Sequence, residues 1–326
     1  MKVAVIGAGA MGGSYGALLA HAGHAVTLID SWQSHVDTIN QEGLHADGAL
    51  GDHQLRLDAF VSPPSGLNAD LAIIFVDTNN TQAGAMVARK VLATDAYAIT
   101  CQNGIGNVEV LQDVLGKNRV LGGSSMCSAA SQGPGHVTLT HLDKTSVGEI
   151  DGILRDRTKV LAKMLGDAGL PTVIVPDITA TIWQKFIVNC AFNALCATTG
   201  LRTGEMMHVP EMDVLQDRIL DEVSAVTEAK NIALPDPETI TKIKTDGRRR
   251  MNKPSMLQHV TVGRKTEIDA INGALIREAR SLGIPTPYNE ALVALLKGRE
   301  QSQQRAIHQP DFDYEAWEAR IEAGED

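Results

Sequence analysis

The stretch KVAVIGAGAMGGSYGALLAHAG, residues 2–23, decides the fold of the N-terminal half. A short β-branched run opens it, GAGAMGG interrupts the run, and SYGALLAHAG continues with helical apolar spacing. Strand, tight turn and helix therefore follow in direct succession. Gly7, Gly9 and Gly12 stand in G-x-G-x-x-G order within that context. Gly7 permits the tight turn, Gly9 lets the backbone approach a pyrophosphate, and Gly12 lets helix and strand pack closely. Ala8, Ala10 and Met11 complete the turn, and the helix N-terminus offers N–H groups and the positive end of its dipole to the phosphates.

Working outward, AVTLID ends a second strand at Asp30, where a carboxylate can accept hydrogen bonds from the ribose hydroxyls of a dinucleotide. The plainer alternative is that Asp30 begins a turn or caps the helix starting near Ser34. DLAIIFVD (70–77) and AYAITC (96–101) are further apolar runs, separated by helix-like segments such as TQAGAMVARKVL. This alternation predicts a parallel sheet with helices on both faces, a Rossmann-type α/β domain. Residues 133–149, GPGHVTLTHLDKTSVGE, predict a hairpin turning at His141–Asp143. Beyond GLPTVIVP (169–176) the β-branched runs disappear and helical signals dominate to about Gly298. The reading is of two domains, a dinucleotide-binding domain at 1–176 and an all-α substrate-binding and catalytic domain at 177–326. The tail from Gln301 is polar and predicted to fray.

A net charge of −10 over 326 residues argues against general attraction to nucleic acid or an anionic membrane, so anionic ligands need local partners. No segment reaches the roughly 18 uninterrupted apolar residues of a membrane span, and the glycine-cut N-terminus is no signal peptide, so a cytoplasmic protein is expected. Cys101, Cys127, Cys190 and Cys196 include no Cys-x-x-Cys pair and are read as reduced thiols. No His/Cys/carboxylate cluster at metal-ligand spacing is legible, and no metal is expected.

The most informative stretch is TIWQKFIVNCAFNALCATTG, residues 181–200. Lys185, Asn189 and Asn193 are spaced i, i+4, i+8, which stacks one amine and two amides on one helical face. Buried amides need partners, and a ligand can supply them. An ammonium there can stabilise and then protonate the oxygen left when hydride reaches a ketone carbon.

At this point the sequence resembles the ketopantoate reductase (2-dehydropantoate 2-reductase) family. The blocks that carry the resemblance are VIGAGAMGG at the start, QNGIGN at 102–107, PGHV at 134–137, WQKFIVNCAFNAL at 183–195, PSMLQHV at 254–260 and GRKTEIDAINGALIREARSLGIPTP at 263–287. It implies a Rossmann domain followed by a helical domain of the 6-phosphogluconate dehydrogenase C-terminal-like kind, and reduction of a 2-keto acid by a nicotinamide cofactor. Carried over by residue, it implies Lys185 as the catalytic lysine, Asn189 and Asn193 as substrate-facing amides, and Asn103 as the asparagine near the nicotinamide. It further implies substrate contacts from Asn252 and Ser255 and an active-site hydrogen bond from Glu267.

Two departures bear on cofactor and substrate. Where many members place an arginine after the second strand for the NADPH 2′-phosphate, this chain reads Asp30-Ser31-Trp32, and the next arginine is Arg56. Where the family often has a lysine after the strand LAIIFV, this chain has Asp77. Both changes oppose the more negative cofactor, so NAD is the expected cofactor, with NADP as the alternative. The expected activity is a 2-hydroxy acid/2-keto acid dehydrogenase acting as a homodimer. The rival readings are an authentic NADPH-dependent ketopantoate reductase of pantothenate biosynthesis and, from another class, a non-catalytic NAD-binding regulator.

Overall fold

The structure is a computed structural model that describes residues 1–49 and 51–325. Its contacts divide the chain into two compact units, 1–186 with 232–237, and 187–231 with 238–326. The division falls inside one long helix, ten residues beyond the boundary read from the sequence near Pro176–Asp177.

In the first unit, β1 (Lys2–Ile6), α1 (Ala10–His21), β2 (Ala25–Ile29) and α2 (Gln33–Glu42) are followed by three short strands, β3 (Leu44–Gly48), β4 (His53–Leu55) and β5 (Asp58–Phe60). Next come β6 (Ala69–Ile74), α3 (Thr81–Val91), β7 (Leu92–Thr100), α4 (Asn107–Leu115), β8 (Val120–Ser125), β9 (Ser128–Gly133), β10 (His136–His141), β11 (Thr145–Glu149), α5 (Asp156–Asp167) and β12 (Thr172–Ile174). The main sheet has the order β12-β11-β8-β7-β6-β1-β2-β5, with β11 antiparallel to β8 and the other neighbours parallel. From β1 the chain adds β2 on one side and β6, β7 and β8 on the other, so the order reverses at the β1/β6 junction. In open α/β sheets that crevice, at the carboxyl ends of the strands, is where ligands bind. The strands here are apolar on both faces because both faces are covered: Val3, Val5, Leu71 and Ile73 enter one core, and Ala4, Ile6, Ala72 and Ile74 the other.

The predicted hairpin is displaced. The turn lies at Pro134–Gly135, between antiparallel β9 and β10, and Gly135 takes a φ of +69° that suits glycine. His141–Asp143 is the passage from β10 into β11 of the main sheet. β9 and β10 join β3 and β4 in a separate four-stranded sheet, which sequence periodicity did not indicate because β3 and β4 are short and partly polar.

Helix α6 (Ile178–Thr199) carries the chain into the second unit, which comprises α7 (Thr203–Met207), α8 (Pro210–Ala229), α9 (Thr239–Gly247), α10 (Ser255–Thr261), α11 (Asn272–Leu282), α12 (Pro287–His308) and α13 (Tyr314–Glu322). A buried polar knot ties four of these helices. The Glu222 carboxylate accepts from Tyr288 and Asn289 N–H at 2.8 and 2.9 Å, and Asn272 donates to Asn289 Oδ1 at 2.9 Å and to the Cys190 carbonyl at 3.4 Å. Glu222 thereby satisfies the first N–H groups of α12, which Pro287 opens. The tail expected to fray is helical instead: α12 runs to His308, and the Arg305 guanidinium lies over the rings of Phe312 and Trp317 at 4.5 and 4.8 Å. Among the described residues, no helix is long and apolar enough to cross a membrane.

Candidate active site

Four predicted cofactor positions lie at the carboxyl ends of neighbouring strands: the turn from Gly7 after β1, Asp30 after β2, Asp77 after β6 and Asn103 after β7. The glycine turn is shaped by contact. Gly7 has φ +89°, and a Cβ there would stand 2.4 Å from the backbone nitrogen of Val76; a Cβ on Gly12 would stand 1.9 Å from the carbonyl oxygen of Gly7. A Cβ on Gly9 would meet nothing within 4 Å. That open side belongs to the N-cap of α1, where no side chain caps the first turn. The N–H groups of Ala10, Met11 and Gly12 therefore begin a helix without a side-chain acceptor, as a pyrophosphate site requires. The residues present fit a dinucleotide.

Asp30 is built into this turn. Its Oδ2 accepts from Ala8 N–H at 2.7 Å and its Oδ1 from Trp32 N–H at 2.9 Å, leaving each oxygen a further lone pair for a hydroxyl. Ala8 is thus committed to the scaffold, its N–H to Asp30 and its carbonyl to His35 Nε2 at 3.0 Å. Gly135 N–H donates to His35 Nδ1 at 2.9 Å, so Nδ1 is an acceptor and Nε2 carries the proton given to Ala8. This fully buried imidazole locks the glycine turn to the β9–β10 turn. Nothing in the sequence around His35 marks it, because its two partners are 27 and 100 residues away.

Asp77 does not end β6, which stops at Ile74; it caps a 3-10 turn at Thr78–Asn80, with Oδ1 accepting from the backbone and side-chain nitrogens of Asn79 at 2.9 and 2.6 Å. The Asn103 loop is clamped from both sides. Gln102 donates to the Val76 carbonyl at 2.7 Å and to Thr81 Oγ1 at 3.0 Å, while Asn107 donates to the Asn103 carbonyl at 2.8 Å. The outer residues of QNGIGN thus hold the loop beside Asp77.

Lys185, half-buried on α6, donates from Nζ to the Ser125 carbonyl at 2.6 Å. Behind that carbonyl is a buried hydroxyl cluster: Tyr15 Oη donates to Ser125 Oγ at 2.8 Å and lies 2.5 Å from Thr145 Oγ1. Burial pushes the Tyr15 phenol well above its ordinary range. Burial likewise pushes the Cys101 thiol up to about 12, against the opposing pull of the nearby Lys185 charge.

In the second unit, Asn193, Asn189 and Ser255 form a directed chain. Asn193 Oδ1 accepts from Met256 N–H and Ser255 Oγ, each at 3.2 Å, at the start of α10. That orientation leaves Asn193 Nδ2 to donate to Asn189 Oδ1 at 3.1 Å. Asn189 Nδ2 is then a buried donor with no partner, and its direction is fixed by the chain behind it. Asn252 is exposed on the segment before α10, its carbonyl accepting from Thr203 N–H at 3.3 Å. Glu267 is 7% exposed on another loop, whose neighbour Thr266 is tied by its N–H to Glu300 Oε1 at 2.5 Å. The structure joins Asn189, Asn193 and Ser255 by direct bonds; Asn252 lies on the segment that leads into Ser255, and Glu267 on the loop before α11.

Residues 3–152 match the family model described as Ketopantoate reductase PanE/ApbA, and residues 177–300 match Ketopantoate reductase PanE/ApbA C terminal. A 2-dehydropantoate 2-reductase of Archaeoglobus fulgidus is 30% identical over 300 residues, covering 92% of this chain and 98% of its own length. The crystal structure of a PanE/ApbA family ketopantoate reductase from Ralstonia eutropha has a TM-score of 0.86 at 32% identity, covering 93% of this chain and all of that one. The ternary structure of a D-mandelate dehydrogenase with NADH and anilino(oxo)acetate has a TM-score of 0.87 at 28% identity, covering 93% and 99%. The chain belongs to the ketopantoate reductase family and is an NAD(P)-dependent oxidoreductase.

Proposed function

We propose, from that membership, that the protein is an NAD-preferring dehydrogenase interconverting a 2-keto acid and its 2-hydroxy acid, with Lys185 as the general acid and base. The observation that carries the cofactor choice is the Asp30 carboxylate, fixed by two backbone N–H groups at the end of β2. It is suited to accept a ribose hydroxyl and repels a 2′-phosphate. No lysine or arginine occurs between Lys2 and Arg56, and Arg56 donates to the Gln41 carbonyl at 2.7 Å. The D-mandelate dehydrogenase whose structure holds NADH supports the same reading.

A bound dihydronicotinamide supplies the hydride to the keto carbon. Lys185 hydrogen-bonds the keto oxygen, stabilises the charge that gathers there and delivers its proton, leaving a neutral amine. In the oxidative direction the neutral amine takes the hydroxyl proton back. Asn189 Nδ2, pre-aimed by Asn193, donates to a substrate oxygen, and Ser255 is its neighbour in the same chain of bonds. Glu267 is assigned to orienting the lysine or the substrate hydroxyl, and Asn252 to a substrate contact. The Gly7–Gly12 turn holds the pyrophosphate, and Asp77 and Asn103 border the nicotinamide end. A homodimer is part of this reading; the exposed Val214 of α8 and Leu295 of α12 offer apolar surface for it.

The second reading, an NADPH-dependent 2-dehydropantoate 2-reductase, rests on the name carried by the sequence relatives. A variant pair separates the two. Asp30→Ala combined with Ser31→Arg removes the repelling charge and adds a phosphate ligand. It should lower the ratio of kcat/KM for NADH over NADPH at least about tenfold, or about 1.4 kcal/mol. An unchanged ratio in the paired assay would remove Asp30 from cofactor selection.

A further inference from the structure

The parallel ladder between β3 and β10 brings together side chains that no sequence spacing connects. Its register pairs His136 with His45 and Thr138 with Asp47. Alternate residues of a strand face opposite sides, so these four share one face, while the buried Leu44, Ala46, Val137 and Leu139 take the other. The His45 and His136 rings are stacked, with centroids 4.1 Å apart and planes 22° from parallel. His136 Nε2 lies 2.9 Å from Asp47 Oδ2, and one ligand atom from each of His45, Asp47 and His136 falls within 4.8 Å of the others. The other carboxylate oxygen, Asp47 Oδ1, is buried without a hydrogen-bond partner. An orphaned carboxylate oxygen is costly, and a cation beside it removes that cost. On the open side Asp52 Oδ1 lies 2.9 Å from His45 Nε2.

We propose that His45, His136 and Asp47 bind one divalent first-row transition ion of the Zn²⁺ class. Two imidazoles and a carboxylate suit such an ion. The three leave a coordination position for water or for Asp52. On binding, each imidazole presents an unprotonated ring nitrogen to the ion in place of its contact with Asp47 or Asp52 and carries its N–H on the other ring nitrogen, the proton moving between the two through solvent. His136 and Asp47 are 89 residues apart in the chain, so the ion clasps β10 to β3 and stabilises the folded first unit. The proposal departs from the expectation of no metal site: the ligands are drawn from two strands, and local spacing cannot show them. The proposal is independent of the catalytic reading.

The test uses the full-length, untagged chain. Zn²⁺ titration calorimetry should give one ion per chain, Co²⁺ should give the visible absorption of a bound ion, and Zn²⁺ should raise Tm relative to chelator-treated protein. His136→Ala and Asp47→Asn should each weaken binding at least about tenfold and abolish the Tm shift. His141→Ala, which removes a more exposed histidine from the same strand, should bind as the wild type does. His136→Gln, read by far-UV circular dichroism alongside, keeps the comparison valid if the alanine variant misfolds. No saturable Zn²⁺ binding by the wild type, or an isotherm unchanged in the His136 and Asp47 variants, would overturn the proposal.

Discussion

Replacement of Lys185 by alanine is expected to lower kcat by about 10²- to 10⁴-fold, the usual contribution of a positioned proton donor. The size follows from the role proposed for the lysine as the proton donor to the keto oxygen. Two groups near Nζ cannot take over its role: the Ser125 carbonyl only accepts, and the buried Cys101 thiol is held protonated. Lys185→Met keeps the length of the side chain and should lose as much, which separates proton transfer from packing. Cofactor affinity should change little in either variant, because the proposed function assigns the far end of the dinucleotide to the glycine turn and Asp30. Steady-state kinetics with NADH affinity measured by fluorescence checks both statements. Full turnover in a folded Lys185→Ala protein would take the lysine out of the mechanism.

The second large effect is expected at Gly12. Its φ is not in the left-handed region, so the constraint is space: the added methyl would lie 1.9 Å from Gly7 O and 3.0 Å from Gly7 C, both backbone atoms of the glycine turn. Relief requires the turn to move away from α1. Gly12→Ala should destabilise the protein by about 3 kcal/mol, at the upper end of overpacking costs, and should weaken NADH binding more than tenfold. Gly9→Ala supplies the contrast. Its methyl meets no protein atom within 4 Å, so Tm should hold while NADH affinity falls. Thermal unfolding and NADH titration of both variants read the two effects, and equal Tm losses would show that the turn is constrained differently.

What the sequence made legible was whatever lies within one element or one turn. The 2–23 stretch contains its strand, turn and helix in order, and Lys185, Asn189 and Asn193 declare their common face through the helical period. What it hid depends on contacts between distant segments. His35 bridges Ala8 and Gly135, and the Tyr15 hydroxyl supports the strand end that receives Lys185. The direction of the Asn193 amide is set by the start of α10, 63 residues on. The hairpin was misplaced because a glycine at positive φ, Gly135, outweighs the polar run His141–Asp143 as a turn former. The C-terminal tail looked unstructured because its order comes from Arg305 meeting three aromatic rings, a tertiary contact that leaves no period in the sequence.

The most direct test of the account is a set of initial rates with NADH and with NADPH, each against ketopantoate and a panel of other 2-keto acids. The account predicts a strong preference for NADH and a 2-keto acid other than ketopantoate as the better substrate. Preference for NADPH with efficient ketopantoate reduction would contradict it, and would mean that the carboxylates of Asp30 and Asp77 do not select the cofactor as argued.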